Sequence, residues 1–232
     1  MLARTVVDLL QLIQENTPET MYRGQANSGW PLLPSLARFA AQVQGYESAG
    51  DLEDHLLDDF LRYAVPHHDI RSLPKLEQLI HCQHFGLPTR LLDWSTNPLK
   101  ALFFAVENPS HDECDGAVYI LSPTGWWEGT GKIPDLESLQ AFMPELLNER
   151  VAAQDACFVS FPLPAFGMEV KELTQDNYER DVATLQEIVV PKERKIELRR
   201  ELAVLGITHR TIYPGLEGVA RWVKTNLSNF RA

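Results

Sequence analysis

No run of apolar residues in this chain approaches the roughly 18 to 20 needed to cross a bilayer, so no membrane span is expected. Cysteine is scarce. Cys82, Cys114 and Cys157 are odd in number and show no C-x-x-C spacing. Neither a disulfide framework nor a Cys-rich zinc site is expected, and the reading is a reducing cytoplasm. Positive charge is short as well: 21 Lys and Arg stand against 32 Asp and Glu, a formal net charge of −11. Non-specific binding to DNA or RNA backbone needs a basic surface and is not expected. A local set of arginines can still hold a phosphate-bearing small molecule. Also missing are a G-x-S-x-G nucleophile elbow and the glycine loops of P-loop and dinucleotide sites. GWWEGTGK (125–132) does not substitute for them, because it does not lead from a strand into a helix at the required spacing.

What is present suits one domain over residues 1–232 with a sizeable core: 44% of residues are apolar and 23% charged. The start, MLARTVVDLLQLIQEN, carries Asp8 and Glu15 and reads as an amphipathic helix, not a secretory signal. Helical spacing recurs in 51–64 and in 73–86, where Gly86 and Pro88 are stop signals. Asn97 and Pro98 are the N-cap and first residue of a buried helix running from NPLKALFFAVEN. GAVYILS (116–122) and ATLQEIVVP (183–191) read as strands, and 148–162 as a helix end entering a strand. A helix follows Pro191 to Leu205 with Gly206 as its cap; THRTIY (208–213) reads as a strand before a last helix. Helices lead and strands interleave later, so the class is α+β: N-terminal helices, then a mixed or antiparallel sheet core flanked by helices.

Three clusters of residues have chemical potential. In Tyr22-Arg23-Gly24-Gln25 an arginine ends an extended segment, and the missing side chain at Gly24 lets a ligand approach the backbone. In HFGLPTRLLDWSTNP (84–98), His84, Thr89, Arg90, Asp93, Ser95 and Thr96 crowd together. Local pattern makes this a hydrogen-bonded turn between two buried helices, held by an Arg90–Asp93 ion pair. His81, His84 and Asp93 do not match a standard zinc spacing, so no metal is expected. On 183–191, alternation puts Leu185, Glu187 and Val189 on one face, so Glu187 shares a face with apolar residues, either at an edge or facing a cleft.

These pieces resemble the FRG domain family, which is named for an aromatic-Arg-Gly motif, here YRGQ (22–25) followed by WPLLPSLAR (30–38). QHFGLPTRLLDWSTNPLKALFFAV (83–106) is similar to the family's second signature. RVAAQDACF (150–158), with Gln154, is similar to a third; there the family usually has glycine after the glutamine and this chain has Asp155. A looser resemblance is to ADP-ribosyltransferases of the Arg-Ser-Glu type, onto whose order YRG, DWSTNPLKALFFA and EIVVP can be laid, although Leu185 stands where those enzymes usually carry Gln or Glu.

That second resemblance implies an ADP-ribosyltransferase-like arrangement with NAD as substrate. Arg23, with Tyr22, Gly24 and Gln25, would grip its phosphates. Ser95 and Thr96 would brace the nicotinamide, with Thr89, Arg90, Asp93 and Gln154 in the same binding set. Glu187, with His84, would be catalytic, Glu187 stabilising an oxocarbenium-like transition state. It further implies a transferase or NAD hydrolase acting on an unidentified macromolecular acceptor, as a bacterial effector or phage-defence domain. Two alternatives stay open at this point: a non-catalytic nucleotide-binding module, and a nuclease or other hydrolase using His84 and Asp93. All three predict that Arg23, His84 and residues 89–97 cluster.

Overall fold

The computed structural model describes residues 1–14, 16, 19–127, 138–145 and 148–229. The N-terminal half holds α1 (Val6–Leu12), β1 (Met21–Gln25), α2 (Ser35–Ala40), α3 (Ala49–Ala64), α4 (Lys75–His84), β2 (Leu91–Ser95) and α5 (Pro98–Val106). There follow β3 (Gly116–Pro123), β4 (Trp126–Trp127), β5 (Gln140–Phe142), α6 (Glu149–Ala153), β6 (Ala156–Ser160) and β7 (Val182–Val190). Three helices close the chain: α7 (Lys195–Val204), α8 (His209–Ile212) and α9 (Leu216–Asn229). The α+β class is therefore observed, as a seven-stranded mixed sheet in the order β4-β5-β6-β2-β1-β3-β7 with helices against it. Among the described residues, only β4 and β5 pair in parallel within this sheet; its other neighbouring strands pair antiparallel.

Side chains alternate across each strand, and this sorts the core. One face of β1, β3 and β7 presents Tyr22, Val118, Ile120, Ile188 and Val190 to α1, α5 and α7. On the same face of the other half, Leu91, Phe142 and Phe158 pack against Leu57 of α3, Leu79 and Ile80 of α4 and Val151 of α6. The reverse face buries Met21, Leu92, Trp94, Leu121 and Val159 beneath Leu32, Leu173 and Tyr178. Leu185 and Glu187 lie on that reverse face by register with Leu121 and Tyr119, as alternation predicts.

Two expectations are corrected. Residues 208–213 are not a strand: Thr208 caps α8, and the Thr211 hydroxyl accepts the Thr208 N–H at 2.9 Å. Thr208 and Thr211 act there through their hydroxyls, and Ile212 packs into the core from a helix. Residues 91–95 are not part of a turn but a central strand, paired with β6 over five residues. Asp93 and Ser95 broke the apolar alternation because their face, packed in core at Leu91, opens onto a cavity further along the strand. In the GWWEGTGK segment (125–132), Trp126–Trp127 forms β4, and 128–132 lie outside the described residues.

Gly24 sets the packing of helix on sheet. A Cβ at this position would stand 1.8 Å from the Ala101 carbonyl oxygen and 2.7 Å from the Ala105 nitrogen, both backbone atoms of α5. Neither can rotate away. Gly24→Ala is expected to force α5 off β1 and to cost about 3 kcal/mol or more, at or above the upper end for overpacking. Urea denaturation measures it, and a loss under about 1 kcal/mol would mean that α5 shifts freely.

Candidate functional site

The sheet is nearly divided at its centre. β1 and β2 share one residue pair, Tyr22 opposite Ser95, whereas β1 pairs with β3 over five. Where the ladder would continue, the Arg23 guanidinium intervenes: its Nη1 donates to the Asp93 carbonyl at 2.6 Å. The strands part there around a cavity of about 710 Å³, within the roughly 300–1,000 Å³ of small-molecule sites. Its walls come from β1, β2, α4, the C-terminal end of α5, and the α6–β6 junction.

Among the described residues, four buried side-chain atoms of the lining have no hydrogen-bond partner: Arg23 Nε, Trp94 Nε1, Gln25 Oε1 and Glu107 Oε2. Each such group costs about 1–3 kcal/mol, and all of them gather at one cavity. Burial pulls the Arg23 pKa below its ordinary value; the Asp93 carboxylate opposes that shift and the Arg38 charge adds to it. Arg38 and Arg150 line the same cavity, with Asp93 and Glu107 as its acids. Burial also raises the Glu107 carboxyl above its usual range, against the hydrogen bond that Tyr213 donates to Oε1 at 2.8 Å and against the charges of Arg221 and Arg150.

The β2–α5 turn is tied to the residues before β6. Ser95 Oγ donates to the Gln154 carbonyl at 2.7 Å and accepts the Asn97 N–H at 3.0 Å. The Thr96 N–H reaches the Asp155 carbonyl at 2.9 Å. Asn97 caps α5, accepting the Leu99 and Lys100 N–H groups. Asp155, where the family resemblance expects glycine, has φ 45°, the left-handed region that glycine enters most easily. Its carboxylate repays some of that strain by accepting from Asn97 Nδ2 at 3.2 Å and pairing with Lys100 at 2.6 Å.

The candidate residues divide. Tyr22, Arg23, Gly24, Gln25, His84, Asp93, Ser95 and Gln154 all line the cavity. Thr89, Arg90, Thr96 and Glu187 are not among its lining. Arg90 does not pair with Asp93. It is buried against Glu53 of α3, with Nη2 2.5 Å and Nε 2.6 Å from Oε2, while its N–H donates to Oε1 at 2.8 Å. Asp93 instead accepts from Gln83 Nε2 at 2.7 Å. Thr89 is fully buried behind Gln83. Arg23, Tyr119 and Glu187 are register partners on three adjacent strands, so Glu187 sits one strand beyond Tyr119 on the edge strand, exposed. Tyr119 Oη stands 3.4 Å from Glu187 Oε1, and burial, with Glu187, pushes its hydroxyl up to about 12.

Sequence reasoning missed Gln83, Trp94, Trp30, Arg38, Glu107 and Arg150 as lining residues. Four of them, Gln83, Trp94, Trp30 and Arg38, fall within the first two motif blocks and Arg150 opens the third, so block membership was the available signal. Trp30 meets His111 edge to face at 5.0 Å. Lys195, wholly buried, donates Nζ to the Ala26 and His111 carbonyls, each at 2.6 Å, and so gathers two parts of the wall. Among the described residues, no three His, Cys, Asp or Glu side chains form a group that could hold a metal ion.

Residues 18–114 match the FRG domain family model, so the chain carries an FRG domain. No curated protein and no solved structure matches the chain.

Two measurements test this geometry. Asp155→Ala keeps the strained backbone and loses both carboxylate contacts; it is expected to cost about 1–3 kcal/mol, while Asp155→Gly, which relieves the backbone, costs less. An equal loss for the two would contradict the strained turn. His84 has its pKa lowered by burial and by Arg150, and His81 and His209 are lowered mainly by burial. The unfolded chain then takes up protons first as pH falls, so this stability is full above about 6.5 and declines below it. An NMR titration of His84 should give a midpoint under 6.5, the ordinary value. A midpoint at or above that would place the ring in open solvent.

Proposed function

We propose that this domain holds a phosphate-bearing nucleotide in the central cleft, namely the NAD implied by the ADP-ribosyltransferase-like order of its elements, and acts on it as an NAD-dependent transferase or hydrolase. The observation that carries this reading is Arg23. Its guanidinium fills a gap in the sheet, is anchored at one nitrogen to the Asp93 carbonyl, and keeps Nε unpartnered at the cavity wall. Arginine presents a planar fork to phosphate, and a fork already anchored loses little freedom on binding. Arg38 adds positive charge, and the exposed indole of Trp30 offers a face on which a base can stack. A bacterial effector or defence setting is the context in which this chemistry would serve.

The expected result is nicotinamide release from NAD by the purified chain, with thermal stabilisation by NAD and by ADP-ribose. Arg23→Lys keeps the charge but loses the fork, and should raise KM about 10- to 100-fold. Glu187→Gln should leave turnover unchanged, because Glu187 is exposed outside the cavity. Absence of both stabilisation and turnover with NAD would sink the reading.

A further inference from the structure

Three carboxylates bear on the cleft, and they differ in what their oxygens can do. Glu187 stands outside it. Glu107 is buried at the wall: Oε1 takes the Tyr213 hydroxyl, and Oε2, without a hydrogen-bond partner, faces His209 Nε2 at 3.5 Å and Arg221 Nη1 at 4.0 Å. Asp93 is exposed within the cavity lining, and among the described residues its Oδ2 has no hydrogen-bond partner.

The other carboxylate oxygen of Asp93 is held by a directional chain. The Leu91 N–H donates to Thr89 Oγ1 at 3.2 Å. Thr89 Oγ1 in turn donates to Gln83 Oε1, which leaves Gln83 Nε2 to donate to Asp93 Oδ1 at 2.7 Å. The Asp93 carboxylate can only accept, which turns Gln83 Nε2 toward it and Oε1 toward Thr89, so the Thr89 hydroxyl donates there while its oxygen takes the Leu91 N–H. Thr89 is locked in turn by Ser35, whose Oγ accepts the Thr89 N–H at 3.1 Å. A chain anchored this firmly holds one oxygen and presents the other, which is how outer partners orient a working carboxylate.

We propose that Asp93 is the catalytic carboxylate of this cleft, facing the reacting ribose, and that Gln83 and Thr89 are its positioning residues. The proposal rests on the NAD reading. The bond between ribose C1′ and the nicotinamide nitrogen breaks, and its electron pair leaves on nicotinamide. The sugar becomes an oxocarbenium ion beside the Asp93 charge. An acceptor hydroxyl, or water, then forms the new C1′–O bond and passes its proton through the Asp93 carboxylate to solvent. With water the products are ADP-ribose, nicotinamide and one proton.

The test measures nicotinamide release and NAD binding by the full chain. Asp93→Asn should lower kcat about 100- to 1,000-fold, the range for removing one preorganised electrostatic group, with NAD affinity little changed. Gln83→Leu and Thr89→Val should each lower kcat about 10-fold with KM little changed, and Thr89→Ser, which keeps the hydroxyl, should recover it. Should Asp93→Asn fail to fold, the kcat effects at 83 and 89 and the rescue by serine decide the matter. Turnover within about 3-fold of the parent in folded Asp93→Asn, with Arg23→Lys still raising KM, overturns the role of Asp93 and leaves the NAD reading standing. No NAD cleavage by the parent chain removes both.

Discussion

Between β1 and β2 an arginine side chain takes the carbonyl that a neighbouring strand would otherwise take. The Arg23–Asp93 bond closes a sheet that its own ladder leaves open after a single pair. A continuous ladder would have no room for a cavity at this place, and an open gap without the guanidinium would leave that carbonyl without its protein partner. Everything around the cleft follows from that compromise. α5 must press close on Gly24 to hold β1 from one side, and Ser95 must tie β2 to the residues ahead of β6 from the other.

The polar residues of 83–97 form the support for this arrangement. Glu53, 1% exposed, braces the start of β2 through both the backbone and the guanidinium of Arg90. A buried pair of this kind adds little net stability over well-packed apolar residues, but it fixes where α3 meets the strand. Thr89 and Ser35 do the same for α2. Two side chains that look like ligands for a substrate are instead the masonry behind Gln83 and Asp93.

The sequence told the two kinds apart only in part. Caps and stops were legible because they are local: Asn97 with Pro98, Gly86 and Gly206 all stand where their spacing put them. The α+β class followed from the order of helical and alternating segments. β2 was not legible, because Asp93 and Ser95 face a cavity and so spoil the alternation that announces a strand. The partner of Arg90 was not legible either, since Glu53 lies 37 residues away in an acidic helix of unremarkable pattern. Nothing local could show that Glu187 would fall one strand too far from Arg23; strand order is a property of the whole sheet.

The segment that matches the FRG model, 18–114, contains only β1 and β2, the two strands that share a single pair. Their other edges are completed by β3 and β6, and the Ala26 and His111 carbonyls within it are drawn together by an ammonium from Lys195, at the head of α7. The recognisable motif therefore carries most of the cavity-facing residues but not the means of holding them apart at this width. Cut out at those boundaries, it would be two bare-edged strands prone to pair with whatever strand they met. Variation on α7, nearly a hundred residues downstream of the cleft's own signature, would be felt as a change in the bore of the pocket while leaving every signature residue intact.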